Sequence, residues 1–272
     1  MAKQKRSSLN RLEQELPEGL LVDAAWLAAK GYSTALRSQY VAGDWLHQPA
    51  RRVYQRRSAP LTWQQVVVSL QTLLGYDLVL GGRSALELQG YAHYLRQRGT
   101  TLYLYGSRKP PTWLNTLPLP DVRFIYRNAT ALFPAAQMPA GPQKLEARKD
   151  LDKSDSFVVQ PWGQYDWPLV LSTPERAVLE LLDELPDHES FHNVDMLMQG
   201  LTTLRPAKLH RLLAECKSVK VKRLFFFFAD RHSHAWLGRI DRKAVDLGAG
   251  KRMLVKGGRL DSQYQITVPK DF

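Results

Sequence analysis

Residues 20–57 read LLVDAAWLAAKGYSTALRSQYVAGDWLHQPARRVYQRR, and the order of signals within them sets the fold. Leu20, Leu21 and Val22 are apolar, and Asp23 is placed to cap a short helix over residues 24–30 that carries Trp26 and Leu27. Gly31 supplies a left-handed turn residue, Ser33 caps a second helix running to Ala42, and Gly43 ends it. Leu36 and Tyr40 stand four apart and share the face expected to point inward. Thr34, Arg37, Ser38 and Val41 follow the i, i+3, i+4, i+7 rule on another face. Then come Trp45 and Leu46, a turn expected at Gln48, Pro49 and Ala50, and the run Arg51, Arg52, Val53, Tyr54, Gln55, Arg56, Arg57. A basic two-stranded wing beside such a helix matches a winged helix-turn-helix, in which the helix enters the major groove and the wing neutralises phosphate. Thr34, Arg37, Ser38 and Val41 are therefore the expected base-facing set, and Arg51, Arg52, Arg56 and Arg57 the expected phosphate set. Three short helices and a hairpin also serve as docking modules, and arginine clusters are often solvated faces. The succession of cap, helix, glycine, cap, helix, glycine and basic hairpin favours DNA.

Upstream, Leu9, Leu12 and Leu16 lie at helical spacing before Pro17 and Gly19, which makes residues 7–16 the first helix of a module spanning residues 1–60. Residues 57–60 read as a short linker. Downstream, residues 61–74 predict an amphipathic helix capped by Thr62, with Val66, Val67, Leu70, Leu73 and Leu74 on its apolar side. A short strand at 77–80, a helix at 84–89 and strands at 101–105 and 122–126 follow, with Pro110, Pro111, Pro118 and Pro120 enforcing extended loops between the last two. Residues 134–156 predict a long surface loop. Strands are expected at 157–159 and 169–171, and Ser172-Thr173-Pro174-Glu175 signals a helix start. Helices are expected at 194–201 and 206–216. Residues 219–229, with Leu224 and four phenylalanines, fit a buried strand or the apolar side of a helix, and helix is preferred. Residues 251–256 and 264–268 read as closing strands about a Gly257-Gly258 turn. Helices interleaved with short strands make residues 61–272 an α+β domain.

With 272 residues, 44% hydrophobic, the chain has material for real cores, and disorder is not the default. Its net charge of +12 suits a polyanionic partner. That charge is uneven: residues 1–60 hold 10 basic and 5 acidic side chains, residues 61–204 hold 12 and 15, and residues 205–259 hold 15 and 4. The second basic region includes Lys220, Lys222, Arg223, Lys251, Arg252 and Lys256, read either as a surface for nucleic-acid phosphate or as a solubilising face. One cysteine, Cys216, excludes an internal disulfide and fits a reducing cytoplasm; its apolar helix neighbours mark it as a structural thiol. No leader pattern opens the chain and no apolar run is long enough to span a membrane, so a cytoplasmic protein is expected.

Enzymatic motifs are weak. His188-Glu189-Ser190-Phe191-His192 matches the zinc-protease pattern, which works only on a helix where both histidines point the same way. Here it follows Leu185-Pro186-Asp187, a helix exit, so solvent-facing loop histidines are the better reading, with a zinc hydrolase kept as an alternative. Gly248-Ala249-Gly250-Lys251-Arg252 fails the phosphate-loop spacing, because Val245 stands at the first glycine and Arg252 at the hydroxyl position. No catalytic residue, metal or cofactor is expected.

Trp26-Leu27 to Gly31-Tyr32-Ser33, Trp45-Leu46, Val53-Tyr54, Gly81-Gly82-Arg83-Ser84-Ala85-Leu86, Ser172-Thr173-Pro174-Glu175-Arg176-Ala177, residues 219–224, residues 247–252 and Ile266-Thr267-Val268-Pro269 follow one another along the chain. In that order these segments resemble AbiEi-type antitoxins of type IV toxin–antitoxin systems. No one segment is specific, but their order is, and it spans nearly the whole chain. The resemblance implies an N-terminal winged helix-turn-helix that binds inverted repeats in its own promoter and represses the operon. It also implies a larger domain that counters an AbiEii-type nucleotidyltransferase toxin without a stable complex. A transcription regulator whose second domain binds a small molecule is the remaining alternative.

Overall fold

The computed structural model describes residues 2–56, 60–91, 99–135 and 154–272. Its first unit comprises α1 (Ala2–Glu15), β1 (Leu21–Asp23), α2 (Ala24–Ala29), α3 (Thr34–Ala42), β2 (His47–Ala50) and β3 (Val53–Gln55). Asp23 caps α2 by accepting from the Trp26 amide at 2.8 Å, and Ser33 caps α3 through the Leu36 amide at 3.2 Å. Gly31 is left-handed, φ +87°, as the turn requires. Gly43 is the C-cap of α3 but has φ −96°; the left-handed residue is Asp44. An added Cβ there would stand 3.2 Å from the ring of the half-exposed Trp45, which would have to shift slightly. The three strands pair in the order β1-β3-β2, all antiparallel. Leu12, Leu16, Leu21, Leu27, Tyr32, Tyr40, Leu46 and Val53 are buried beneath them.

The wing turns later than expected. Ala50 pairs with Val53, so the loop is Arg51 and Arg52 rather than Gln48 to Ala50, with Arg52 left-handed at φ 66°. The Ala24 amide donates to the Arg52 carbonyl at 2.8 Å, pinning the wing tip to the start of α2.

The second unit begins with α4 (Trp63–Thr72), whose Thr62 and Gln65 form a full capping box. It continues through β4 (Val79–Leu80), α5 (Gly82–Leu88), β5 (Thr100–Gly106), a 3₁₀ turn (Thr112–Thr116), β6 (Val122–Asn128), β7 (Phe157–Trp162), β8 (Trp167–Ser172), α6 (Pro174–Asp183), α7 (Phe191–Gly200), α8 (Pro206–Glu215), α9 (Val219–His232), β9 (Arg259–Asp261) and β10 (Ile266–Val268). Five strands form one mixed sheet in the order β6-β5-β4-β8-β7; β5–β6 and β4–β8 are parallel, and β4–β5 and β7–β8 antiparallel. The α+β class is as expected. Pro174 occupies the first turn of α6, but the Thr173 hydroxyl donates to the Asp155 carbonyl instead of capping the helix.

α4 is the seam between the units. Its Ser69 hydroxyl accepts from the Leu21 amide of β1 at 2.9 Å, while Gln71 exchanges hydrogen bonds with Val170 of β8 at 3.0 Å in each direction. Val66, Val67, Val68 and Leu70 are buried between them. Residues 219–229 are helical, and Leu224 and Phe225 to Phe228 are all buried, because α9 packs against α6 and α7 and its rings meet Phe191, Trp236 and Tyr264. Residues 251–256 are not a strand. Arg252 makes a single bridge to Ile266, and the Leu254 and Val255 amides both donate to the Thr267 hydroxyl, at 2.7 and 2.9 Å, so no ladder forms. Most of the expected 134–156 loop lies outside the described residues.

The second unit also buries a salt bridge. Arg176 and Glu180, one turn apart on α6, are both wholly inaccessible, with Nε to Oε1 at 2.8 Å. The guanidinium lies 4.2 Å from the centroid of Phe133 and 4.8 Å from that of Phe157. The carboxylate also accepts from the Gly82 amide at 2.9 Å and the Ser172 hydroxyl at 3.1 Å. Burial nevertheless pushes the Glu180 carboxyl above its ordinary pKa.

Candidate nucleic-acid interface

Along α3 the exposed residues are Thr34, Ala35, Ser38, Gln39 and Ala42; Leu36 and Val41 are half-buried, and Arg37 and Tyr40 are buried. At 100° per residue, this outer face is turned roughly 80° about the helix axis from the one centred on Thr34, Arg37, Ser38 and Val41. Thr34 and Ser38 therefore face outward as expected, and Val41 half so.

Arg37 does not, and the base-facing expectation for it is corrected. Its Nη1 donates to the Ala24 carbonyl at 2.6 Å and its Nη2 to the Thr34 hydroxyl at 2.8 Å, which leaves it 9% exposed. It is a strut that fixes the angle of α3 against α2. Sequence reasoning missed Gln39, whose amide is the one long polar group on the outer face. Its spacing from Ala35 and Ala42, four and three residues away, carries the signal that marks that face.

The wing cations divide in the same way. Arg51 and Arg52 are exposed at the hairpin tip. Arg56 instead donates to the carbonyls of Glu13 at 3.1 Å and Leu16 at 3.2 Å and pairs with the Glu13 carboxylate at 3.3 Å. It closes the C-terminal end of α1, where unpaired carbonyls attract cations, and its expected phosphate contact is corrected accordingly. Arg57 lies outside the described residues. Trp45, between α3 and the wing, is 50% exposed.

The C-terminal set is split more sharply. Arg223 is buried and donates to the carbonyls of Leu247 at 2.7 Å, Gly250 at 2.6 Å, Gly248 at 3.0 Å and Gln265 at 3.3 Å, folding residues 247–252 onto α9. Lys220 donates to the Asp183 and Leu185 carbonyls at 2.6 and 2.9 Å, at the end of α6, and pairs with the Asp183 carboxylate at 3.2 Å. Lys222 is 7% exposed. All three are corrected from surface contacts: Lys220 and Arg223 are internal ties, and Lys222 is buried. Lys251, Arg252 and Lys256 remain exposed.

The zinc pattern does not assemble. α7 begins at Phe191, so His188 and Glu189 precede it, and only His192 is on the helix. Glu189 pairs with Arg83 and accepts from the Asn193 side-chain amide at 3.0 Å. His232 bonds Asp195 at 2.8 Å and His234 reaches the Met198 carbonyl at 2.7 Å. Among the described residues no group of three or more His, Cys, Asp or Glu is placed to hold a metal. Cys216 is buried, which raises its thiol pKa and makes it inert. Among the described residues no helix is long and apolar enough to cross a membrane.

Three helices, a three-stranded wing and an outward polar helix face define the class: a winged helix-turn-helix regulator carrying a larger mixed-sheet domain. Comparison with protein families places it further. Residues 5–97 match the N-terminal domain of the AbiEi antitoxin transcriptional regulators, and residues 99–269 match the transcriptional regulator, AbiEi antitoxin, of type IV toxin–antitoxin systems. The chain belongs to this family. Among solved structures, the crystal structure of the RV2827C protein from Mycobacterium tuberculosis is similar, with a TM-score of 0.51 and 16% identity over 95% of this chain and 89% of that one, a likeness of fold alone. Comparison with curated proteins finds no match.

Proposed function

We propose that this chain is an autorepressing antitoxin. Residues 1–60 bind inverted repeats in the promoter of its own operon, and residues 61–272 counter a nucleotidyltransferase-type toxin from that operon without a stable complex between the two proteins. The observation carrying the DNA reading is the outward face of α3, with Thr34, Ser38 and Gln39 on it and small alanines at positions 35 and 42 that allow close approach to base edges. Arg51 and Arg52 at the wing tip supply phosphate contacts, and the exposed Lys251, Arg252 and Lys256 are candidates to extend the footprint. The cytoplasm is the compartment this role requires.

The decisive measurement is titration of the promoter fragment, against a scrambled duplex of equal length, at two salt concentrations. Preference for the promoter that survives higher salt supports the reading; equal affinity for both duplexes removes it. The second half is tested by co-expressing the neighbouring gene with the full chain and with residues 61–272. Rescue of growth by the shorter form assigns neutralisation to the second domain, and rescue by neither denies the antitoxin role.

A further inference from the structure

The wing tip borders an open cleft of about 570 Å³, closed on its other side by the 3₁₀ turn Thr112–Thr116 of the second domain. We propose that this cleft is a nucleoside-phosphate site. Its lining brings together Asp23, Arg51, Arg52, Thr112, Trp113 and Thr116, with two alanines of α2 as its small-residue floor. Each part of a nucleotide has a counterpart there. The two guanidiniums are exposed side chains with fixed fork geometry, suited to phosphate oxygens. The half-buried Trp113 offers a ring face to a base, and stacking of this kind is tolerant of base identity. Its indole Nε1–H is shut off from solvent and has no acceptor among the described residues, so a ring rotation would be needed to bring that donor to a seated ligand. Asp23 is the one acid among the described lining residues; its Oδ1 caps α2, leaving the other oxygen to accept from ribose hydroxyls. The volume lies in the range of small-molecule sites, and the position between two units is where such sites form.

The site uses the cations that the DNA reading assigns to the wing. Nucleotide and duplex therefore compete for Arg51 and Arg52, and this regulatory consequence, unlike the site itself, rests on that reading. The carbonyl of Arg52 is tied to the Ala24 amide at 2.8 Å, so the backbone at the tip is held in either state.

Isothermal titration of the full chain tests the site without DNA. The probes are ATP, GTP, CTP and UTP one at a time, and inorganic tripolyphosphate. Expected is one site per chain for at least one nucleotide, weakened roughly tenfold or more in Arg51→Ala/Arg52→Ala and in Trp113→Leu, retained in Trp113→Phe and unchanged in Lys251→Ala. The arginine variants are at an exposed loop, so their result stands if Trp113→Leu fails to fold. Three results overturn the site: no heat at about 5 mM probe, binding indifferent to the arginine variants, or tripolyphosphate binding as tightly as every nucleotide. A promoter titration with and without the binding nucleotide then tests the competition. A raised apparent Kd supports it. An unchanged Kd beside intact nucleotide binding overturns the competition, and loss of promoter preference in the absence of any nucleotide is instead a failure of the DNA reading.

Discussion

α3 and α9 both set basic among apolar residues, Arg37 alone in the nine residues of α3 and Lys220, Lys222, Arg223 and Arg231 in the fourteen of α9, yet they end as opposites. α3 keeps five of its nine residues exposed, and its arginine is spent inside. α9 buries every residue from Val221 to Ala229, including Lys222 and Arg223. The difference lies in what surrounds each helix. α3 packs on one side only, so its polar face survives as a contact surface. α9 is enclosed from Val221 to Ala229, and there Arg223 serves the carbonyls of an irregular loop. A guanidinium beside unpaired carbonyls is drawn inward; one at a two-residue hairpin tip has none within reach and stays available. The count of cations in a segment therefore says little about its affinity for a polyanion.

Substituting the buried cations should give the largest effects. Arg176→Ala removes one partner of a fully buried pair and is expected to cost about 3–5 kcal/mol, read by chemical denaturation. Its pH dependence has a definite sign. Burial holds Glu180 above the ordinary carboxylate pKa, so the folded chain binds that proton more readily than the unfolded one. This contribution is fully present below the unfolded value and is lost as pH rises through the folded one. Without Arg176 the folded value rises further, so the deficit should grow from acid toward neutral pH, and a deficit flat across that window would break the assignment.

Arg223→Ala comes next, at about 3 kcal/mol, because four carbonyls lose a charged donor. Faster proteolysis within residues 247–252 would accompany it. If Arg223 served a surface role instead, stability would hold and only nucleic-acid affinity would fall. Arg37→Ala sharpens the comparison within α3 itself: about 1–3 kcal/mol of folding stability should be lost, with an unchanged salt slope for whatever DNA binding remains. Normal melting with relaxed sequence preference would return Arg37 to the interface.

Smallest in stability are the exposed positions. Gln39→Ala should leave the melting temperature in place while removing about 1–3 kcal/mol of discrimination at one base pair, if its amide reads adenine. Arg51→Ala should weaken all duplexes alike and lower the salt slope by roughly 0.9. Binding competition against single-base operator variants separates the two behaviours, and identical profiles would dissolve the distinction between helix and wing.

Local signals located most elements. Asp23, Ser33 and Thr62 act as the caps their positions announce, because an N-cap needs only an amide two or three residues away. Residues 219–229 form the helix their sequence favours, and its all-round apolarity is accounted for by enclosure. Misplacements came where partners are distant in sequence. Pro49 suggested a turn, but pairing with Val53 keeps residues 47–50 extended and moves the turn to the arginines. Residues 251–256 read as a strand candidate, but the Thr267 hydroxyl takes two of their amides. Family resemblance was legible across the chain; the identity of the outward α3 residues was only half so, because the same periodicity fits two faces of a helix.

Sequence by itself determined the order of helices and strands, the winged arrangement and the family, all of which rest on caps, periodicity and turn residues acting over a few positions. Tertiary structure decided which of the cations reach solvent. That choice depends on carbonyls brought near from far along the chain, as Leu247, Gly250 and Gln265 are brought to Arg223. Nothing in a residue's immediate neighbours encodes that proximity.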